Sequence, residues 1–172
     1  MALFTSIYPR RKALYQAEAK KTFISFRLRN CWFALPITSV QKVIVLENID
    51  GDPKGTGLGL TRYQNQEILV IDVGYKIFGE AQQNLEKIAD FAEEEQRYLA
   101  ILSNPTVNIW GLPIDSPPTI QRVSESAFTD IPDAYLAMGN LQCISSKMIQ
   151  IPDAPAIFLL ETELLCENFL SK

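Results

Sequence analysis

Trp32-Phe33-Ala34-Leu35-Pro36-Ile37-Thr38-Ser39-Val40-Gln41-Lys42-Val43-Ile44 reads as one strand, a tight corner at Pro36 to Ser39, and a second strand. Proline removes a ladder donor, so a central strand has to end or turn there. Later the chain carries Trp110-Gly111-Leu112-Pro113-Ile114-Asp115-Ser116, then Ile120-Gln121-Arg122-Val123. Small residue, Leu, Pro, Ile, polar residue and Ser recur in order, followed after a short gap by Gln, a basic residue and Val. Two similar β-modules in one chain are expected from this duplication. Trp32 and Trp110 fall at roughly equivalent places in them, which suits core or inter-module packing.

Composition fits such a body. A chain of 172 residues, 47% apolar, buries roughly 70% of the surface its unfolded form exposes. Mean hydropathy is +0.02, and no apolar run approaches the roughly 18 residues a membrane helix needs. Arg10, Arg11 and Lys12 are not followed by the apolar stretch of a secretion signal. The net charge of -4 disfavours a general nucleic-acid binder, which carries a basic footprint. Cys31, Cys143 and Cys166 are far apart and form no Cys-x-x-Cys pair, so three reduced, partly buried thiols are expected. The chain contains 0 histidines, which removes the usual metal ligand and every Ser-His or Cys-His triad. Catalysis would have to come from carboxylates, Lys or Tyr alone, and no metal or cofactor is expected.

Residues 1–21 read as an appendage: a short polar helix over Lys12 to Lys21, against which its thin apolar stripe counts, or a disordered or loosely docked segment. From Thr22 to Leu28 the pattern alternates, with Ile24, Phe26 and Leu28 on one face and Ser25 and Arg27 on the other. Asn30 turns the chain, Trp32 to Leu35 returns, and Val40 to Leu46 is a third strand. A Gly- and Asp-rich loop spans Glu47 to Gly59; Gly57-Leu58-Gly59 lacks the Lys-Ser/Thr of a phosphate loop. Leu60 to Tyr63 and Ile68 to Val73 form a hairpin, and Gly79 closes the first module. Gln82 to Gln96 is a short acidic helix or an ordered linker. The second module runs through strands at Arg97 to Leu102, Val107 to Pro113 and Ile120 to Val123. A last hairpin uses Tyr135 to Ile144 or Met148 to Ile151, with Ala156 to Leu160. From Thr162, Leu164, Leu165 and Phe169 mark a closing helix. Sheets this small usually close on themselves, because an open sheet leaves two edges.

Over about residues 22–168 the chain resembles the CheW-like domain family of bacterial chemosensory adaptors. Phe23-Ile24-Ser25-Phe26 through Phe33-Ala34-Leu35-Pro36-Ile37 is similar to the family's opening hairpin, and Val40-Gln41-Lys42-Val43 to its Val-Gln-Glu-Ile corner. Gly59 to Asp72, ending Leu69-Val70-Ile71-Asp72, has the spacing of its "GVINLRGxxxPVID" block. Gly111 to Asp115 is similar to "GLxVD", and Leu159-Leu160-Glu161 with Leu164-Leu165 to "LLDxxxLL". Two departures stand out. Arg62-Tyr63-Gln64-Asn65 occupies the "NLRG" tetrad, so Gln64 holds the usual Arg position and an Arg lies two residues earlier. Lys42 holds the family's acidic position.

The resemblance implies an all-β fold of two five-stranded SH3-like β-barrel subdomains. These pack side by side around a shared apolar core, with a short linking helix and a C-terminal helix. The subdomains are expected at about 22–80 and 97–168, joined by an acidic linker at 82–96. It implies a cytoplasmic adaptor, recruited to membrane-associated receptor arrays without inserting in the membrane. Its partners would be the helical tip of a methyl-accepting chemotaxis-type receptor and the regulatory domain of a CheA-type histidine kinase. The pathway would be chemotaxis, phototaxis or pilus motility.

For the receptor contact the candidates are Val40, Lys42 and Ile44, expected on one strand face, with Arg62 and Gln64 from the neighbouring hairpin. Val40 and Ile44 suit barrel core equally well, but a Lys on a fully buried face would be costly. For the kinase contact the candidates are Leu58, Leu60 and Ile120. Asp72 and Asp115 could form a carboxylate pair, but each suits a strand end, accepting backbone N–H bonds. Other readings are a free-standing CheW-like modulator that competes with the true adaptor, and an OB-type nucleic-acid-binding β-barrel stacking bases on Trp32 and Phe33 beside Arg27 and Arg29. An enzyme using carboxylates in the inter-barrel cleft would lack both His and any glycosidase-like motif.

Overall fold

The computed structural model describes residues 18–50, 56–79, 97–105, 107–137 and 142–170. The expected acidic linker at 82–96 and most of the N-terminal appendage lie outside these. In chain order the strands are β1 Lys20–Leu28, β2 Cys31–Pro36, β3 Val40–Val45, β4 Leu58–Tyr63, β5 Gln66–Ile71 and β6 Tyr98–Asn104. They continue as β7 Asn108–Ile114, β8 Thr119–Ser124, β9 Phe128–Asp130, β10 Ile144–Ile149 and β11 Ile157–Leu160. Three helices are described: α1 Val73–Phe78, α2 Asp133–Leu136 and α3 Thr162–Leu170. Single 3-10 turns occupy Ile37–Ser39 and Glu125–Ala127.

These strands form two sheets. The first has the order β8-β1-β2-β11-β10-β9, the second β3-β6-β7-β5-β4. Three apolar clusters follow from this arrangement. One lies within the first sheet (Phe23, Ala34, Val123, Ile149, Ile157). Another lies within the second (Ile68, Val70, Leu99, Ile101). The largest takes residues from both, including Phe26, Phe33 and Leu35 from the first and Leu102, Trp110 and Leu112 from the second. This is the expected architecture of two SH3-like units around a shared apolar layer. Each large side chain fully buried there contributes about 1.5–3 kcal/mol. Leu165 and Cys166 of α3 join the same layer.

One unit has six strands where five were expected. The stretch 119–130 bends at Glu125–Ala127, so β8 lies on one edge of the first sheet and β9 on the other. Gln150 N donates to Ala127 O at 2.8 Å, fixing the bend to the end of β10.

The expected division at 22–80 and 97–168 needs correction, because the sheets interleave the two halves of the chain. The β1–β2 hairpin of the first half pairs with β8 and, in parallel, with β11 of the second. The β6–β7 hairpin of the second half pairs with β3 and, in parallel, with β5 of the first. After each Leu-Pro-Ile the chain leaves its own hairpin's sheet and crosses to the other. The repeat is therefore real, but each copy supplies two strands to one sheet and the rest to its neighbour. Trp110 opposes Leu69 across its parallel seam, and Phe33 opposes Phe158 across the other. Both belong to the shared layer two residues before the Leu, so Phe33, not Trp32, is the counterpart of Trp110. Trp32 packs against the cluster inside the first sheet.

Local chemistry sets the strand ends. β5 stops at Ile71, short of the expected Val73, because Asp72 caps α1: its Oδ1 accepts from Tyr75 N at 3.0 Å. The last hairpin resolves to β10 and β11, while Tyr135 sits in α2.

A seam between two sheet edges and its relation to known proteins

β3 and β4 are the two edges of the second sheet, and they do not pair with each other. Between them lies a cleft of about 560 Å³. Ile44, Leu46 and Leu99 give it an apolar floor, since all three belong to the cluster inside that sheet. Arg62, Tyr63 and Gln64 form one wall, and Glu47, Asn48 and Asp50 the other. Asp50 and Leu60 exchange backbone hydrogen bonds at 2.7 and 2.9 Å, and Thr61 Oγ1 donates to Asn48 O at 2.7 Å. These bonds tie the loop after β3 to β4 at one end of the seam.

The wall ends in the two-residue turn Gln64-Asn65, flanked by the pair Tyr63 and Gln66. Both residues have positive φ, 49° and 63°, as a type I′ hairpin requires. Asn65 tolerates this conformation, whereas Gln64 is held in it at a cost of about 1–2 kcal/mol.

The structure thus places Ile44, Arg62 and Gln64 along the lining of one cleft, while Val40 lies outside it. A register shift between Val40 and Lys42 marks a β-bulge around Gln41. One extra residue inverts the alternation. Val40 opposite Leu102 and Val43 opposite Ala100 face the shared layer, while Lys42 opposite Ile101 and Ile44 opposite Leu99 take the other side. The expected common face of Val40, Lys42 and Ile44 therefore does not exist. Lys42 is exposed, as its charge demands.

Val40 instead ends an apolar row running Leu60, Leu69, Trp110, Leu102, Val40 across all five strands of the second sheet. The middle of this row is buried, and its far end, Leu60, is 43% exposed. The first sheet has a matching row of Ile120, Ile24 and Leu35, ending on Ile120 at 65% exposure. Leu58 is half-buried against the shared layer. Sequence alternation alone missed Val45, which is 46% exposed at the seam. A valine on an edge strand beside Glu47 was the available signal.

Asp72 and Asp115 both close strand ends on backbone N–H groups, which is the structural role weighed for them. Asp115 Oδ2 accepts from Arg29 N at 2.7 Å, and Asp115 Oδ1 lies 3.3 Å from Arg97 Nε. Phe33 is 1% exposed inside the shared layer, so the base-stacking platform of the OB-type reading is not available there. Among the described residues no group of three or more His, Cys, Asp or Glu could hold a metal ion. Burial pushes the thiols of Cys31, Cys143 and Cys166 up, Cys143 to about 11. Among the described residues no helix is long and apolar enough to cross a membrane.

The family model described as the CheW-like domain matches residues 22–165. The chain belongs to the CheW-like domain family. Among solved structures, the scaffolding protein TtCheW from Thermoanaerobacter tengcongensis is similar to it, with a TM-score of 0.63 at 15% identity. The match covers 86% of this chain and 88% of that one, and at such low identity it speaks for the fold. No curated protein matches the chain in sequence. In this CheW-like fold both sheets draw strands from the two halves of the chain.

Proposed function

We propose that this chain is a cytoplasmic CheW-like adaptor that catalyses no reaction. It couples the helical tip of a methyl-accepting chemotaxis-type receptor to the regulatory domain of a CheA-type histidine kinase, in a chemotaxis, phototaxis or pilus-motility pathway. The observation that carries this reading is the seam, a cleft with an apolar floor that Ile44, Arg62 and Gln64 all line. A helical hairpin presents an apolar stripe flanked by charge, and a floor of aliphatic side chains walled by Arg62 and Glu47 suits it. Leu60 and Ile120, exposed ends of buried rows, suit a second apolar contact, the kinase's. Contacts of this modest size give affinities on the order of 1 μM.

Arg62→Glu tests the seam, because Arg62 is exposed and its loss leaves the core untouched. Receptor pull-down should fall by about tenfold or more, the cost of one well-placed charge contact, with circular dichroism unchanged. Undiminished capture by a folded variant would refute the seam as the receptor site. Val40→Asp is a poorer probe, since Val40 packs on the shared layer. Reconstituted kinase decides the role: an adaptor raises phosphorylation, and a competing modulator lowers it.

A further inference from the structure

Every pairing that completes a sheet joins the first half of the chain to the second: β1 with β8, β2 with β11, β3 with β6, and β5 with β7. The shared layer is built the same way, with Phe33 and Leu35 from one half against Leu102 and Leu112 from the other. Even the polar lock at the corner, Arg29 N to Asp115 Oδ2, crosses between halves. All of these contacts are non-covalent, and the only covalent connection is the segment 80–96.

We propose that two copies of this chain can trade halves, so that the first half of each is completed by the second half of the other. Every strand pairing and buried contact among the described residues is kept in such a reciprocal dimer, so none of these separates the two states. Their balance is set by the chain concentration against the effective concentration at which the two halves of one chain meet, and linked units reach effective concentrations on the order of 1 mM. The dimer would carry the seam and both apolar edge rows twice, giving a bivalent form of the same binding surface.

The test refolds the full chain from denaturant near 1 mM and about a hundredfold below it, then reads mass by light scattering after size exclusion. A dimer fraction is expected at the higher concentration only. A protease site inserted between residues 80 and 96 then separates exchange from ordinary association. Cleaving a reciprocal dimer releases monomer-sized particles, because each folded unit holds halves from both chains. A dimer that survives cleavage, or no dimer at either concentration, overturns the proposal. Complementation gives a second measure that needs no inserted site. Phe33→Asp and Leu112→Asp each damage one half, and neither variant should fold alone. Refolded together they should give a dimer in which one of the two composite units is undamaged and native. A mixture as unfolded as its components would refute the exchange.

Discussion

Asp115 is where sequence, packing and stability meet most directly, and its replacement by Ala should be costly for one identifiable reason. Its Oδ2 accepts the backbone N–H of Arg29 at 2.7 Å, in the β1–β2 turn where Arg29 has φ of 57°. A hydrogen bond to a charged group contributes about 1.5–3 kcal/mol, and its loss strands a partly buried donor. The Arg97 contact adds little. Its side chain is 41% exposed, and Nε at 3.3 Å lacks hydrogen-bond alignment, so about 0–1 kcal/mol is expected. The backbone bond from Asp115 N to Arg27 O survives in any variant. Asp115→Ala should therefore cost about 2–3 kcal/mol, lowering Tm by about 5–10 °C for a chain of this size. Asp115→Asn keeps a neutral acceptor and should cost about 1 kcal/mol. Arg97→Ala should cost less than about 1 kcal/mol. Urea unfolding of the three variants measures these differences. The reasoning fails if Ala and Asn are equally damaging, or if Arg97→Ala matches Asp115→Ala, since either would put the energy in charge rather than in the turn's N–H.

Converting Gln64-Asn65 to Asn-Gly should raise stability by about 1 kcal/mol, because both positions demand positive φ; an unchanged urea midpoint would contradict it. Gly111→Ala should destabilise by about 1–3 kcal/mol, since an added Cβ would meet Leu99 Cδ1 at 2.8 Å inside the second sheet. Stability should also fall in alkali. Cys143 keeps its proton in the fold to about 11, above its ordinary 9.0, so the native state holds a proton that the unfolded state releases. That contribution is complete below pH 9.0 and disappears as pH rises toward 11, amounting to about 2–3 kcal/mol. Cys143→Ala should flatten the decline between those pH values, and an equally steep decline in the variant would assign it to other groups.

The residues alone disclosed a great deal here. The duplicated Leu-Pro-Ile corners, the alternation of Ile24, Phe26 and Leu28, the turn near Gln64 and the closing helix from Thr162 are encoded within a few residues of themselves. Local periodicity and turn chemistry are therefore enough to find them. Partnership in a sheet is a different kind of fact. Nothing near β2 in sequence says that it will run parallel to β11, because that pairing is selected by which apolar faces can be buried together across the whole chain. For the same reason the β-bulge near Gln41 was invisible: an extra residue leaves the letters alternating while turning Val40 inward, away from the face of Lys42 and Ile44. Strands, corners and family were thus written in the order of the amino acids. The interleaving of the halves, the inward face of Val40 and the cleft lined by Ile44, Arg62 and Gln64 arose only when distant strands competed for one buried layer.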